Sequence, residues 1–575
     1  MLRAFFRKTE QVARDPVLRQ WLWKRLTGTA AKLPDFSAHH PPYLNSLAPP
    51  SGSDVAPPKT FKPLAALSPV GYIDLALPGL SLRLEPNGTR DIFQRDYDDI
   101  ETLLALHRFA WVPLVSCGAQ VRSSWVQALW DAWRRDFAVP GDSWAWHPYT
   151  AAERAINLLD LARTYGLPEP VEETVTLLAR HAHAIRERLE FFGDHNTSNH
   201  LSNNGRGLYR LGLALGISWA VEQGAQILEE EAKRILLMSG VLREGSSHYH
   251  LLIARNYADA WLAARRHGRP EEATLRAIVE KILAVISSLI LPGGLPLVGD
   301  VSPDCPPEYL MGLAGDGIET GWVAALPDED RAALTALMAA TNPVPDKTLA
   351  NDGWLRLAHG PWAGLWHASP IGWSHAPGHG HQDVGGFELH YQDTPVLIDP
   401  GRGAYGETGE AARYRSAAVH NTVTVNSVNP YPANKPYYDD SFRMEITGPP
   451  PELRSGDKEV ILEHSGFQRI VEVGKLCRRW GFSETEMVIK DELAGHGIHR
   501  VSRRLVTPLK VEVTPAGLVL SNSEKKFSLS SPGPEAAISP ISLWSAYGNG
   551  RPGTLIEFAA DTPLPWSGEI SLKVS

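Results

Sequence analysis

Two histidines and an aspartate alternate in the run GHGHQDVGGFELHYQDTPVLIDPG, residues 378–401: His379, His381 and Asp383. Alternation predicts one face of a β-strand, and paired imidazoles behind glycines suit proton transfer or metal ligation. Three other stretches carry unusual polarity. HNTSNHLSNNGRGLYRLG (195–212) holds Asn199, His200 and Asn203, REGSSHYH (243–250) holds Glu244 and Tyr249, and YRSAAVHNTVTVN (414–426) holds Arg415 and His420. Asn and Ser ahead of a helix are usually caps and turns, but capping does not account for the histidines. His200, His248, His250, His379, His381 and His420 fall at the ends of predicted elements, so they are expected to converge on a groove. Glu244 and Asp300 supply a carboxylate pair of the kind a glycoside hydrolase needs.

Two kinds of structure must position these residues. From about 95 to 345, apolar residues recur at helical spacing, as in DIETLLALHRFAWVPL and EETVTLLARHAHAIRERLEFF; eight or more helices are predicted. After 350 come short β-rich runs between turn residues, among them NTVTVNS, FRMEITG and EVILEHSG. Strands so numerous and so alternating predict an antiparallel sandwich. Three regions follow: 1–90, a helix and an extended arm rich in Pro, Ser and Ala; 91–348, helical hairpins that can close into a ring with a concave groove; and 349–575, the sandwich. Most tryptophans of the helical half sit at core spacing, but Trp144 in WAWHPY is a candidate platform for a sugar ring.

Composition removes several functions. At 575 residues with 43% apolar and 21% charged residues, the chain exceeds a single core. A net charge of −9 without a basic run argues against nucleic acid. Cys117, Cys305 and Cys477 are scattered, which fits neither a disulfide framework nor a Cys-based metal site. The longest apolar stretch, ILAVISSLIL, stops at Pro292, well short of the roughly 20 residues that span a bilayer. MLRAFFRKTEQVARDPVLRQWLWKRL lacks a secretory apolar core, so the cytoplasm is favoured, with the periplasm or cell surface as the alternative. That segment is expected to dock on its own protein rather than on a membrane surface. No organic cofactor is expected, and a homodimer is among the possible assemblies.

In order along the chain, WHPYTAAERAINLLDLA (146–162), SNHLSNNGRGLYRLGLAL (198–215), REGSSHYH, PLVGDVSPD (296–304) and HGHQDVGGFELHYQDTPVLIDPG followed by YRSAAVHNTVTVN resemble the landmarks of the bacterial heparinase II/III family over about residues 90 to 560. The resemblance implies an α+β multidomain fold, an N-terminal incomplete (α/α) toroid followed by a C-terminal antiparallel β-sandwich. It also implies β-elimination on an anionic, uronate-containing polysaccharide. In that reading Asn199 contacts the uronate carboxylate, His200 and His379 lie about the carboxylate and C5 as donor or base, and Tyr249 is the general acid and an alternative base. His381, Asp399 and His420 correspond to ligands of a structural divalent metal, with chemistry suited to zinc. Trp144, His147, Glu244 and Arg415 are expected to bind substrate. Different tasks for His379 and His381 require a bulge or twist at Gly380. One departure is Asn203, where many relatives carry a glutamate; Glu244 is the nearest substitute. A hydrolase, or a non-catalytic glycan-binding protein of surface polysaccharide metabolism that needs no Tyr249, is the alternative.

Overall fold

A computed structural model of the chain describes residues 12–13, 15–33, 36, 40–48 and 61–575. The first helix, α1 (Pro16–Leu26), starts where the Asp15 carboxylate accepts from the backbone N–H groups of Val17 and Leu18, with proline at the first helical position. It buries Val17, Leu18 and Trp21 in the core of the sandwich, and Lys24 reaches Glu445 at 2.7 Å. Its described part is thus docked on its own protein; residues 1–11 of the expected basic segment lie outside the described residues. The described part of the arm that follows is less extended than its composition predicts. It contains a hairpin of β1 (Ile73–Leu77) and β2 (Leu80–Leu84), because the alternating apolar residues of β1 have a core to face.

The helical half runs through α2 (Ile100–Arg108), α3 (Ala119–Phe137), α4 (Pro148–Thr164), α5 (Val171–Glu187), α6 (His200–Leu215), α7 (Ser218–Ile235), α8 (Ser247–Arg266) and α9 (Glu272–Leu289). Helix α8 is buried on every side from Ser247 to Ala264, the mark of an inner helix. Helices α6 and α7 touch through glycine: a Cβ on Gly224 would lie 2.5 Å from the Tyr209 nitrogen. Buried Arg206 ties α6 to α4 and α8, with Glu153 at 2.8 Å and Asp259 at 2.7 Å, so the charges taken out of water are paired. Among the described residues no helix is long and apolar enough to cross a membrane, and the three cysteines are free thiols.

The second half is antiparallel throughout. β3 (Trp354–His359), β4 (Trp362–His367), β5 (Gly386–Tyr391) and β6 (Thr394–Leu397) form one sheet in sequence order. A second four-stranded sheet has β7 (Val423–Val425) at its edge beside Ile498–Thr507. An eight-stranded sheet uses strands from 452–495, 510–530 and 566–574. Two predicted strands are not strands. FRMEITG lies in a helix, Asp440–Thr447, because Asp439 caps it and Phe442 and Ile446, one turn apart, bury the same face. Residues 378–385 form irregular chain before β5.

That irregular chain is where the halves meet. The His379 N–H donates to the Glu244 carbonyl at 2.8 Å, the Asp300 N–H donates to the His379 carbonyl at 2.9 Å, and Asp300 forms a parallel bridge with Arg402. Three segments fit so closely because they carry glycine here: a Cβ on Gly299, at φ +81, would lie 2.5 Å from the Gly245 carbonyl oxygen, and one on Gly245 would lie 3.1 Å from the Gly380 Cα.

Candidate active site between the helices and the sandwich

Asn199 stands at the start of α6, yet its side chain makes no cap. Its Nδ2 donates to Glu244 Oε2 at 2.8 Å, and its backbone N–H donates to Glu244 Oε1 at 2.8 Å. Glu244 is fully buried, so the expectation that it contacts substrate is corrected: both of its oxygens accept from Asn199, and it acts as the bracket that aims Asn199. From the same amide nitrogen, His379 Nε2 is 3.4 Å away.

The His379 ring lies flat on Tyr249, with centroids 3.5 Å apart and planes 10° apart. The Tyr249 hydroxyl is hydrogen-bonded to that of Tyr405. Burial, then the charge of Asp304, pushes the Tyr249 phenol well above its usual range, and burial beside Tyr249 does the same to Tyr405. Both phenols therefore hold their protons at working pH. Tyr405 was not foreseen; its only signal is an aromatic residue in the glycine-rich run GRGAYGETG, directly after Asp399-Pro-Gly.

Glu190 was also missed. His200 Nδ1 lies 2.7 Å from Glu190 Oε1, and Asn204 Nδ2 donates to Glu190 Oε2 at 2.9 Å. Burial would raise the Glu190 carboxyl, but the charge and hydrogen bond of His200 overrule it and bring it down to about 2. The imidazole responds in the opposite sense: burial lowers it, and Glu190 raises it further than that, above its ordinary value. Thus a buried carboxylate from ahead of α6 pairs with His200 and favours the charged form of its imidazole. His147 Nε2 is 3.6 Å from the same Glu190 oxygen. Beside His147 stands Trp144, whose ring is half exposed, whereas Trp111, Trp125, Trp130, Trp133 and Trp146 are buried. Arg415 lies apart from these groups in its pairing, at 3.2 Å from Glu407. His248 and His250 do not join the groove. Both are fully buried and take backbone partners, His248 the N–H of Ser302 and His250 the N–H of Leu242.

Asp300 is buried and receives His379 Nδ1 on one oxygen at 3.1 Å and His381 Nε2 on the other at 3.1 Å. Arg402 Nη1 donates to the second oxygen at 3.1 Å. Burial would raise this carboxyl, but the two histidine hydrogen bonds and the Arg402 charge hold it well below the carboxylate range. The need for a bulge at Gly380 disappears, because His379 and His381 are not on a strand and meet the carboxylate through different ring nitrogens. With Asp300 and Glu244 both enclosed among such partners, the carboxylate pair of a hydrolase is not available at the surface of the groove.

His381, Asp399 and His420 form a buried group whose ligand atoms all lie within 4.8 Å of one another and that can hold a metal ion. The donor chemistry fits. His381 Nδ1 is buried without a hydrogen-bond partner in the protein, and its Nε2 faces Asp300, the arrangement of a metal-bound imidazole with a carboxylate behind it. His420 Nε2 is 2.7 Å from the Tyr414 carbonyl and must donate there, which leaves Nδ1, 3.0 Å from Asp399 Oδ2, as a ligand atom. Without a metal that nitrogen holds a proton: burial lowers His420, but Asp399 and Asp383 lift it to about 9. The unpartnered Asp383 Oδ2, 3.8 Å from His420 Nδ1, faces the same place. A cleft of about 1030 Å³ is lined in part by Ser302 and Asp304, but His200, Tyr249 and His379 do not line it.

Residues 341–558 match the family model described as Heparinase II/III-like, C-terminal. No curated protein matches the chain in sequence. Among solved structures, heparinase III is 17% identical, with 84% of this chain and 78% of that chain covered at a TM-score of 0.61. Heparan sulfate lyase HepC from Pedobacter heparinus is 16% identical over the same shares, at a TM-score of 0.52. Fold and family model agree: a helical half with the α/α toroid fold of these structures precedes a second half that matches the heparinase II/III-like C-terminal model over residues 341–558.

Proposed function

We propose that the chain is a polysaccharide lyase that cleaves a uronate-containing glycan by β-elimination. One observation carries the reading: Asn199, His379, Tyr249 and Tyr405 form one chain of contacts in which both phenols are held protonated, and the Glu244 and Asp300 carboxylates beside them are enclosed. The reaction removes the C5 proton of a uronate and breaks the C4–O bond, so it needs its carboxylate neutralised, a base at C5 and an acid at the leaving oxygen. Asn199 Nδ2 and the His200 imidazolium bind the carboxylate and stabilise the charge that develops on it. His379, whose Nδ1–H donates to Asp300, keeps a lone pair on Nε2 and takes the C5 proton. Tyr249 donates its proton to the O4 leaving group as the C4–C5 double bond forms; it regains one from solvent relayed through the Tyr405 hydroxyl, and His379 releases the C5 proton to solvent when product leaves. Trp144 and His147 form the wall against which a neighbouring sugar stacks, and Arg415 meets an anionic group farther along the polymer.

His381, Asp399 and His420 would hold a zinc ion, which when bound supplies a fixed cationic cross-link between the loop before β5, the end of β6 and the start of β7. Asp383 is positioned to add an oxygen. The glycan named for one of the similar structures, heparan sulfate, makes uronate polymers the first to try. Incubation with a panel of such polymers, followed by ultraviolet absorbance of unsaturated uronate, tests the proposal; a panel cleaved without that absorbance contradicts it.

A further inference from the structure

We propose that Asp300 is a shared positioning residue whose single carboxylate sets the working ring nitrogen of His379 and the metal-facing nitrogen of His381 at once. The inference rests on the roles just given to these two histidines. Its basis is a hydrogen-bond count. The carboxylate has only acceptors, so His379 Nδ1, His381 Nε2 and Arg402 Nη1, each 3.1 Å away, must all be donors. A neutral imidazole that donates from one nitrogen has its lone pair on the other. His379 is thereby left with the lone pair on Nε2, the atom beside Asn199. His381 is left with the lone pair on Nδ1, the buried atom without a protein partner at the metal position. Arg402 balances the charge, so neither ring is required to be a cation.

The same carboxylate reaches a third part of the site. Arg402 donates through Nη2 to the Gly406 carbonyl at 2.8 Å and through Nε to the Ala411 carbonyl at 2.9 Å. It therefore braces the loop that carries Tyr405, and its guanidinium lies 5.6 Å from the Tyr405 ring centre. The backbone locks Asp300 in turn: its N–H is held by the His379 carbonyl, and its bridge partner is Arg402 itself.

Two substitutions separate the arms. In Asp300→Asn the amide oxygen is expected to take the place of the oxygen that faces both Arg402 and His381. Its NH₂ then faces His379 Nδ1 and forces that ring to put its proton on Nε2. The variant should bind zinc within about tenfold of wild type, a tolerance set by the loss expected for an outer-shell partner. At saturating zinc its kcat should fall by roughly 100-fold or more, with KM changed by less than about threefold, the signature of a transition-state interaction. Asp300→Ala removes the acceptor for both rings, so zinc affinity, read by competition with a chelator, should weaken by about 10- to 100-fold. Asp300→Leu, which fills the space without accepting, replaces it if the alanine variant does not fold. Near-wild-type kcat in Asp300→Asn, or unchanged zinc affinity in Asp300→Ala or Asp300→Leu, overturns the proposal. Failure of the lyase reading looks different: wild type itself then gives no unsaturated product. The zinc measurement, which needs no turnover, then decides on its own, and unchanged affinity again overturns the shared role.

Discussion

Tyr249→Phe removes one oxygen from the centre of the site. The ring that carries His379 on its face stays, and so does the packing of α8. The lost hydroxyl has Tyr405 and Ser302 as hydrogen-bonding neighbours, so the folded state should lose only about 1–2 kcal/mol. Turnover should lose more. Because burial and Asp304 keep the Tyr249 phenol protonated across the working range, its role at the leaving oxygen is that of a general acid. Removing such a group costs on the order of 100-fold or more in rate, equivalent to about 2.7 kcal/mol of activation free energy. The assay is initial-rate kinetics on a polymer that the wild type cleaves, with a melting curve beside it. A kcat lower by about 100-fold with a nearly unchanged KM and melting temperature is expected. Tyr405→Phe, which removes only the relay, should lose less. A Tyr249→Phe enzyme with at least a third of the wild-type kcat, or a larger loss in Tyr405→Phe than in Tyr249→Phe, refutes the assignment of the acid.

His379→Ala should abolish turnover while zinc content is retained, and His381→Ala should lose zinc and melting temperature together; joint loss of zinc in both variants contradicts the separation of their roles. Removing zinc with a chelator should lower the melting temperature of wild type, and readdition should restore it; an unchanged melt removes the metal assignment. The Glu190–His200 pair has a pH signature. Glu190 is depressed on folding, so its contribution is present above the unfolded carboxylate range and fades as pH falls toward about 2. His200 is raised, so its contribution is full below the unfolded histidine value and is lost as pH rises through the folded one. The melting-temperature difference between wild type and His200→Gln should thus be largest at mildly acidic pH and shrink toward alkaline pH; a difference that grows with pH contradicts the pairing.

Much of the architecture was legible because periodicity reports burial. The helical spacing up to 345 and the alternation after 350 both survive in the structure, since each segment has one face on a core. FRMEITG misled because a cap at Asp439 and two apolar residues four apart outweigh its β-branched residues. At the site, motifs brought forward Asn199, His200, Tyr249 and His379; the fold puts Asn199, His379 and Tyr249 in contact and turns His200 to Glu190. What stayed hidden was the layer behind them. Glu190, Asp300 in its actual role, Arg402 and Tyr405 reach the centre only through long-range packing, and sequence spacing holds no trace of it. Glu244 shows the same limit from the other side: an acidic residue near the motif looked available for substrate, and burial turned it toward Asn199.

Product chemistry in heavy-oxygen water tests the central claim most directly. β-Elimination breaks the C4–O bond without adding water, so the fragments from a uronate polymer should sum to the mass of the parent, carry one unsaturated uronate at the new non-reducing end, and contain no heavy oxygen from the cleavage step. Fragments heavier than the parent by one water, with the label fixed at the cleaved bond, would show hydrolysis and contradict the account.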